Sequence, residues 1–147
     1  MTDDAIPQRT LEAVLDELIP ARDAVLPGAG GIGIREEVEA ALGDATPLIA
    51  AALIDLDAQA REASGGDFAD LPAEQRAPLL GEVGASHPGF VEGLVFHTYA
   101  IYYRHHRVAS AIGLRPGPPH PDGYELEAGD LGLLDAVRER GKLYRDA

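Results

Sequence analysis

Leu11, Val14, Leu15, Leu18 and Ile19 recur at i, i+3, i+4, i+7 and i+8, while Glu12, Asp16 and Glu17 fill the rest of the wheel. This spacing predicts an amphipathic helix over 10–19. Pro20 should end it near Leu18, because the residue before a proline is pushed out of the α region. A second helical pattern covers 35–42. Residues 43–47 then read as a stop followed by a start, with Thr46 as a cap and Pro47 at the first helical position. Ile49, Ala52, Leu53, Leu56 and Ala60 share one face of the next helix as far as Ala63. Its many alanines favour helix and let neighbours approach closely, and Ser64-Gly65-Gly66-Asp67 ends it. Residues 72–83 turn Leu79, Leu80 and Val83 inward, and Pro78 among them removes a backbone donor, so a kink or two short helices are expected.

Residues 86–113 hold five of the eight aromatic side chains, namely Phe90, Phe96, Tyr99, Tyr102 and Tyr103. Phe90, Leu94, Thr98, Ile101 and His105, with a second row at Val91, Val95 and Tyr102, predict a central helix buried on more than one side. Ser86 and Pro88 mark its start, and Gly113, after Val108, Ala111 and Ile112, marks a left-handed stop. Pro116, Pro118, Pro119 and Pro121 then fall within six residues and predict an extended, polyproline-like arm over 114–129. A last short helix starts at Asp130, passes through Leu133, Leu134 and Val137 and ends at Gly141. No segment alternates with period two and no repeat is present. The chain therefore reads as all-α: a single compact helical domain over 1–147, of about six helices, with a proline-rich loop near the C-terminus.

At 147 residues the chain is long enough to bury roughly two thirds of its unfolded surface around one core. Cysteine is absent, which removes disulfides, thiolate metal ligands and a cysteine nucleophile. The formal charge of −13 argues against nucleic acid and anionic lipid as partners. No apolar run is long enough for direct membrane insertion and no signal sequence is visible, so cytoplasmic residence is expected.

Candidate chemistry is sparse. Gly28, Gly30 and Gly33 have the G-x-G-x-x-G spacing of a dinucleotide loop, but Pro27 and a polar loop stand where a strand is required, so these glycines read as a flexible connection into the helix at 35–42. The chain alone is expected to bind neither NAD nor FAD. His97, His105 and His106 suggest a metal, yet on one helix His97 and His105 stand about 12 Å apart and His105 and His106 diverge by about 100°. A site would need a distant carboxylate such as Glu92, and no metal is expected. Ser64, Ser86 and Ser110 lie in no nucleophile elbow, and acidic pairs such as Glu36-Glu37 read as a solvated face. Tyr99, Tyr102, Tyr103 and His97 fit either amphipathic packing or a protein interface.

Several stretches taken in order resemble the gluconate 2-dehydrogenase subunit 3 family. They are Leu18-Ile19-Pro20-Ala21, Pro27-Gly28-Ala29, and Phe68 with Leu71-Pro72-Ala73-Glu74-Gln75-Arg76 and Leu79-Leu80. Tyr102-Tyr103-Arg104-His105 with Val108, Ala111, Ile112 and Gly113 extends the resemblance. So do Pro118-Pro119 with Gly123-Tyr124, and Val137-Arg138-Glu139-Arg140-Gly141 with Tyr144-Arg145. The resemblance implies a small accessory subunit, without a cofactor of its own, for a large flavin-dependent dehydrogenase of the glucose-methanol-choline type. That partner would carry FAD and act on a sugar, a sugar acid or another alcohol. Many members of the family carry a twin-arginine leader; none is visible here, which leaves cytoplasmic residence or export with the partner. The family has no catalytic motif to carry across, so no catalytic residue is assigned.

Partner contacts are expected at Tyr102, Tyr103, His106, Pro119, His120 and Tyr124. A proline-rich arm loses little entropy on docking and offers His120 and Tyr124 as anchors, although it can equally fold back on its own domain. The other class left open is a stand-alone small helical enzyme or ligand-binding protein using the region 97–106.

Overall fold

A computed structural model of the chain describes residues 6–23, 25–115, 123 and 128–142. Among the described residues its first compact unit, Met1–Pro116, holds six α-helices, and no strand forms beyond an isolated bridge between Arg22 and Leu26. The chain is all-α, as its periodicity requires. Among the described residues no helix is long and apolar enough to cross a membrane.

Helix α1 (Gln8–Leu18) turns Leu11, Val14 and Leu15 into the core at the expected spacing, and Pro20 stops it, the Ile19 N–H making the last bond to the Leu15 carbonyl at 3.0 Å. It packs against α2 (Arg35–Leu42), α3 (Thr46–Ser64), α4 (Ala73–Ser86) and α5 (Phe90–Tyr102), whereas α5 packs chiefly on α1, α2 and α3. The hub is thus α1 rather than the aromatic-rich segment. An evenly apolar helix sheds its surplus outward, while α1, with one sharply apolar face, has to stay enclosed.

The segment 86–113 is also not one helix. Ser86 ends α4, and Gly89, at φ +89°, turns the chain left-handed immediately before α5, a conformation open to glycine at little cost. At the far end the N–H groups of Arg104 and His105 bond back only three residues, to Ile101 and Tyr102, at 3.2 and 3.1 Å. His105 is then extended, and α6 (His106–Ala111) starts afresh, which returns Val108 and Ala109 to the core. Gly113, at φ +79°, closes α6 as expected, with the Leu114 N–H reaching the Ala109 carbonyl at 2.8 Å.

Pro78 does not divide α4, which runs unbroken from Ala73 to Ser86. The bond it removes would have ended on Glu74 in the first turn, and both residues are exposed, so water serves that carbonyl. On α3 the predicted face is buried, Ile49, Ala52, Leu53, Leu56 and Ala60 all lying at 2 % exposure or less.

The second compact unit, Gly117–Ala147, is described at residues 123 and 128–142. Asp130 caps a 3₁₀ turn, Leu131–Leu134, accepting from the Gly132 N–H at 2.9 Å, and the turn leads into α7 (Asp135–Glu139). Most of the proline-rich arm, with Pro119, His120 and Tyr124, lies outside the described residues.

Candidate functional site

The glycine-rich stretch is built against a helix, not a strand. The Gly30 N–H donates to Asp16 Oδ1 on α1 at 2.8 Å, and a Cβ at Gly28 or Gly30 would overlap Asp16 or the Glu12 carbonyl. These glycines serve close approach of backbone to α1, a fixed seat rather than the flexible connection expected from sequence. Their part-buried neighbour Asp16 places negative charge where a pyrophosphate would need the opposite, while Glu17 beside it is paired with Arg76 at 3.1 Å.

A second polar junction is one the periodicity passes over. Asp57 lies on the buried face of α3 at 5 % exposure and accepts from Thr10 Oγ1 at 2.8 and 2.7 Å and from the Phe68 N–H at 3.0 Å. One carboxyl group therefore ties α1, α3 and the 3₁₀ turn Phe68–Asp70. The signal was present in the sequence: position 57 falls four after Leu53 and three before Ala60, inside the apolar stripe, and an acid there needs donors from elsewhere.

The region 97–106 divides by burial. Tyr102 is 1 % exposed and donates its hydroxyl to the Pro27 carbonyl at 2.8 Å; burial pushes its pKa up, with Tyr103 adding to the effect. This corrects its place among exposed contact residues, since its ring is core and its polar end pins the loop before the glycines. Tyr103 is half-exposed and meets Tyr102 edge-on at 5.2 Å between ring centroids. Phe96 and Tyr99 also face outward, and Phe96 packs edge-on against His97 at 5.2 Å.

His105 and His106 stack at 4.6 Å. Burial, then the neighbouring His106 and Arg107, hold the His105 pKa below the ordinary histidine range, with Glu37 opposing them, and its buried Nδ1 has no hydrogen-bond partner. With Glu37, Ile101 and Arg104 these two rings line a cavity of about 310 Å³. On another side of the α5 end, Arg22, Leu26, Tyr102 and Tyr103 join Ile19 and Pro20 around a cleft of about 300 Å³. Among the described residues no three histidine, aspartate or glutamate side chains are grouped to hold a metal ion. Of the contact residues read from sequence, Tyr103 and His106 stand exposed at this end of α5, Tyr102 does not, and Pro119, His120 and Tyr124 fall outside the described residues.

Comparison with curated proteins and with solved structures finds no match. The model of a family described as gluconate 2-dehydrogenase subunit 3 matches residues 7–111, a span that starts at the N-cap of α1 and closes with α6, taking in the Asp57 junction, the glycine seat and the α5 surface. Over the helical body of its first unit, the chain belongs to the gluconate 2-dehydrogenase subunit 3 family.

Proposed function

We propose that this chain is the non-catalytic small subunit of a dehydrogenase complex, binding and stabilising a large FAD-dependent subunit of the glucose-methanol-choline type that oxidises a sugar, a sugar acid or another alcohol. Family membership over residues 7–111 carries the reading. The outward aromatics of α5 support it, because aromatic side chains are enriched at protein interfaces relative to the rest of the surface. In this reading FAD and the hydride transfer belong to the large subunit, and this chain contributes surface, not reacting groups. It resides in the cytoplasm or leaves it together with its partner.

Co-expression with the large subunit tests the proposal. The two should co-elute with flavin absorbance, and the large subunit produced alone should lose solubility or activity. A large subunit equally soluble and active alone, or no co-elution, overturns it. One observation favours a second reading, a small-ligand site: the cavity holding Arg104, His105 and His106. Calorimetry with sugar acids on the isolated chain separates the two, since saturable binding abolished by His106→Ala would support the ligand site.

A further inference from the structure

In a chain with 25 acidic and 12 basic residues an arginine should find a carboxylate nearby. Arg9, Arg35, Arg61 and Arg76 each stand in ion-pair range of one. Among the described residues Arg22, Arg104, Arg107 and, in the second unit, Arg140 have none in that range, and the three that belong to the first unit gather at the C-terminal end of α5. Arg22 shares its cleft with Tyr103; Arg104 lines the neighbouring cavity; Arg107 is close enough to depress His105. The carboxyl group on this rim is Glu37, and its influence on His105 is smaller than that of Arg107.

From this cationic end an aromatic row runs back along α5. Phe96, Tyr99 and Tyr103 recur at i, i+3 and i+7, exposed to 70, 43 and 48 %, and the rings of Tyr99 and Tyr103 stand 5.9 Å apart. Rings on one helical face with unpaired guanidinium groups at its end combine the side chains that most often anchor interfaces.

We infer that this face is the docking surface for an apolar groove on a partner protein, closed at one end by carboxylates that pair with Arg22, Arg104 and Arg107. The inference rests on the subunit reading and names the chemistry of the dehydrogenase surface that would meet this chain. Charge complementarity selects the occupant. The arginines stand outside ion-pair range of Glu37 and of every other described carboxylate, so a partner's carboxylates gain attraction here without displacing an ion pair inside this chain. The aromatic row supplies contact area, and the charged end fixes its direction and register. A second copy, at −13 on each body, and an anionic lipid surface both meet long-range repulsion from the rest of the chain.

The test uses the full-length chain co-expressed and purified as a complex with the large subunit, with dissociation of the complex on dilution measured across a range of salt. Arg104→Glu/Arg107→Glu should weaken binding by about tenfold or more and flatten its salt dependence, and Phe96→Ser/Tyr99→Ser should weaken it by about tenfold or more with the salt slope retained. Arg61→Glu, a charge reversal on α3, should change it by less than about twofold. The substituted side chains are exposed, and a circular dichroism melt of each variant checks the fold. Wild-type affinity in both double variants overturns this surface and leaves the subunit reading standing. No wild-type complex at all removes that reading, and the surface with it. A wild-type dimer that Phe96→Ser/Tyr99→Ser dissociates in sedimentation would reassign the face to a second copy. Binding to phosphatidylglycerol vesicles lost in Arg104→Glu/Arg107→Glu would reassign it to lipid.

Discussion

The two compact units of this chain carry similar helical writing and meet opposite fates. In Met1–Pro116 the leucines of α1 and α3 have neighbouring helices to receive them, and Leu11, Leu15, Leu53 and Leu56 are sealed from water. In Gly117–Ala147 the turn Leu131–Leu134 and α7 carry Leu131, Leu133, Leu134 and Val137, and these are 46 to 77 % exposed. An apolar stripe stabilises a fold only where a second stripe faces it, and a run of this length is too short to hold a helix by propensity alone. The family match follows the same division, ending at residue 111 within the first unit.

Equal substitutions in the two units should therefore have unequal effects. Leu53→Ala, at a fully buried site on α3, should cost about 2–5 kcal/mol, whereas Leu133→Ala should stay within about 0.5 kcal/mol. Denaturant melts of the full chain read both. A cost at Leu133 approaching that at Leu53 would break the comparison, since it would mean that this leucine is covered in solution.

The polar groups inside the first unit sharpen the contrast next. Asp57→Ala leaves Thr10 Oγ1 and the Phe68 N–H without their acceptor in the core, and should cost about 2–3 kcal/mol. Asp130→Ala removes the corresponding side-chain cap in the second unit, where the Gly132 N–H can turn to water, and should cost a few tenths of that. Thermal unfolding of the two variants decides whether Asp57 is the tie between α1, α3 and the Phe68–Asp70 turn. Equal melting temperatures for Asp57→Ala and wild type would show that it is not.

The helices themselves were legible because their information is local. Leu11, Val14 and Leu15 fix α1 by spacing, Pro20 ends it, and Arg35–Leu42 needed only its own pattern and the glycine after it. What escaped depends on residues far apart in the chain. Nothing between Tyr102 and His106 is a helix breaker, so the division of α5 from α6 arises from how Tyr102 and Val108 are both accommodated in the core. Gly28 and Gly30 could be seen to lack a strand, but not to lie on the Asp16 side of α1. The aromatic density of 86–113 suggested enclosure, yet Phe96, Tyr99 and Tyr103 face water, and only the three-dimensional neighbours tell Tyr102 apart from Tyr103. For the candidate surface, sequence supplied the residue types at Tyr103 and His106, while the meeting of Arg22 with Tyr103 joins a loop and a helix end some eighty positions apart.

The smallest expected effect is a titration, and it too belongs to the first unit. Burial and the nearby His106 and Arg107 hold His105 below the ordinary histidine range in the folded chain, against the weaker pull of Glu37. Above that range His105 is neutral in both states and contributes no pH dependence. As the pH falls below the unfolded value, the unfolded chain takes up the proton first, so stability declines until the pH passes the lowered folded value, and then levels. Stability should consequently rise with pH across this mildly acidic window. His105→Asn, neutral throughout, should remove that part of the slope and raise the acid-side melting temperature by about 1–2 °C relative to wild type, with little change above the histidine range. Because Nδ1 is buried without a partner, the asparagine loses no hydrogen bond there, which keeps the comparison of slopes clean. An unchanged slope in His105→Asn would assign the acid sensitivity to other groups and leave His105 as a packed ring at the start of α6.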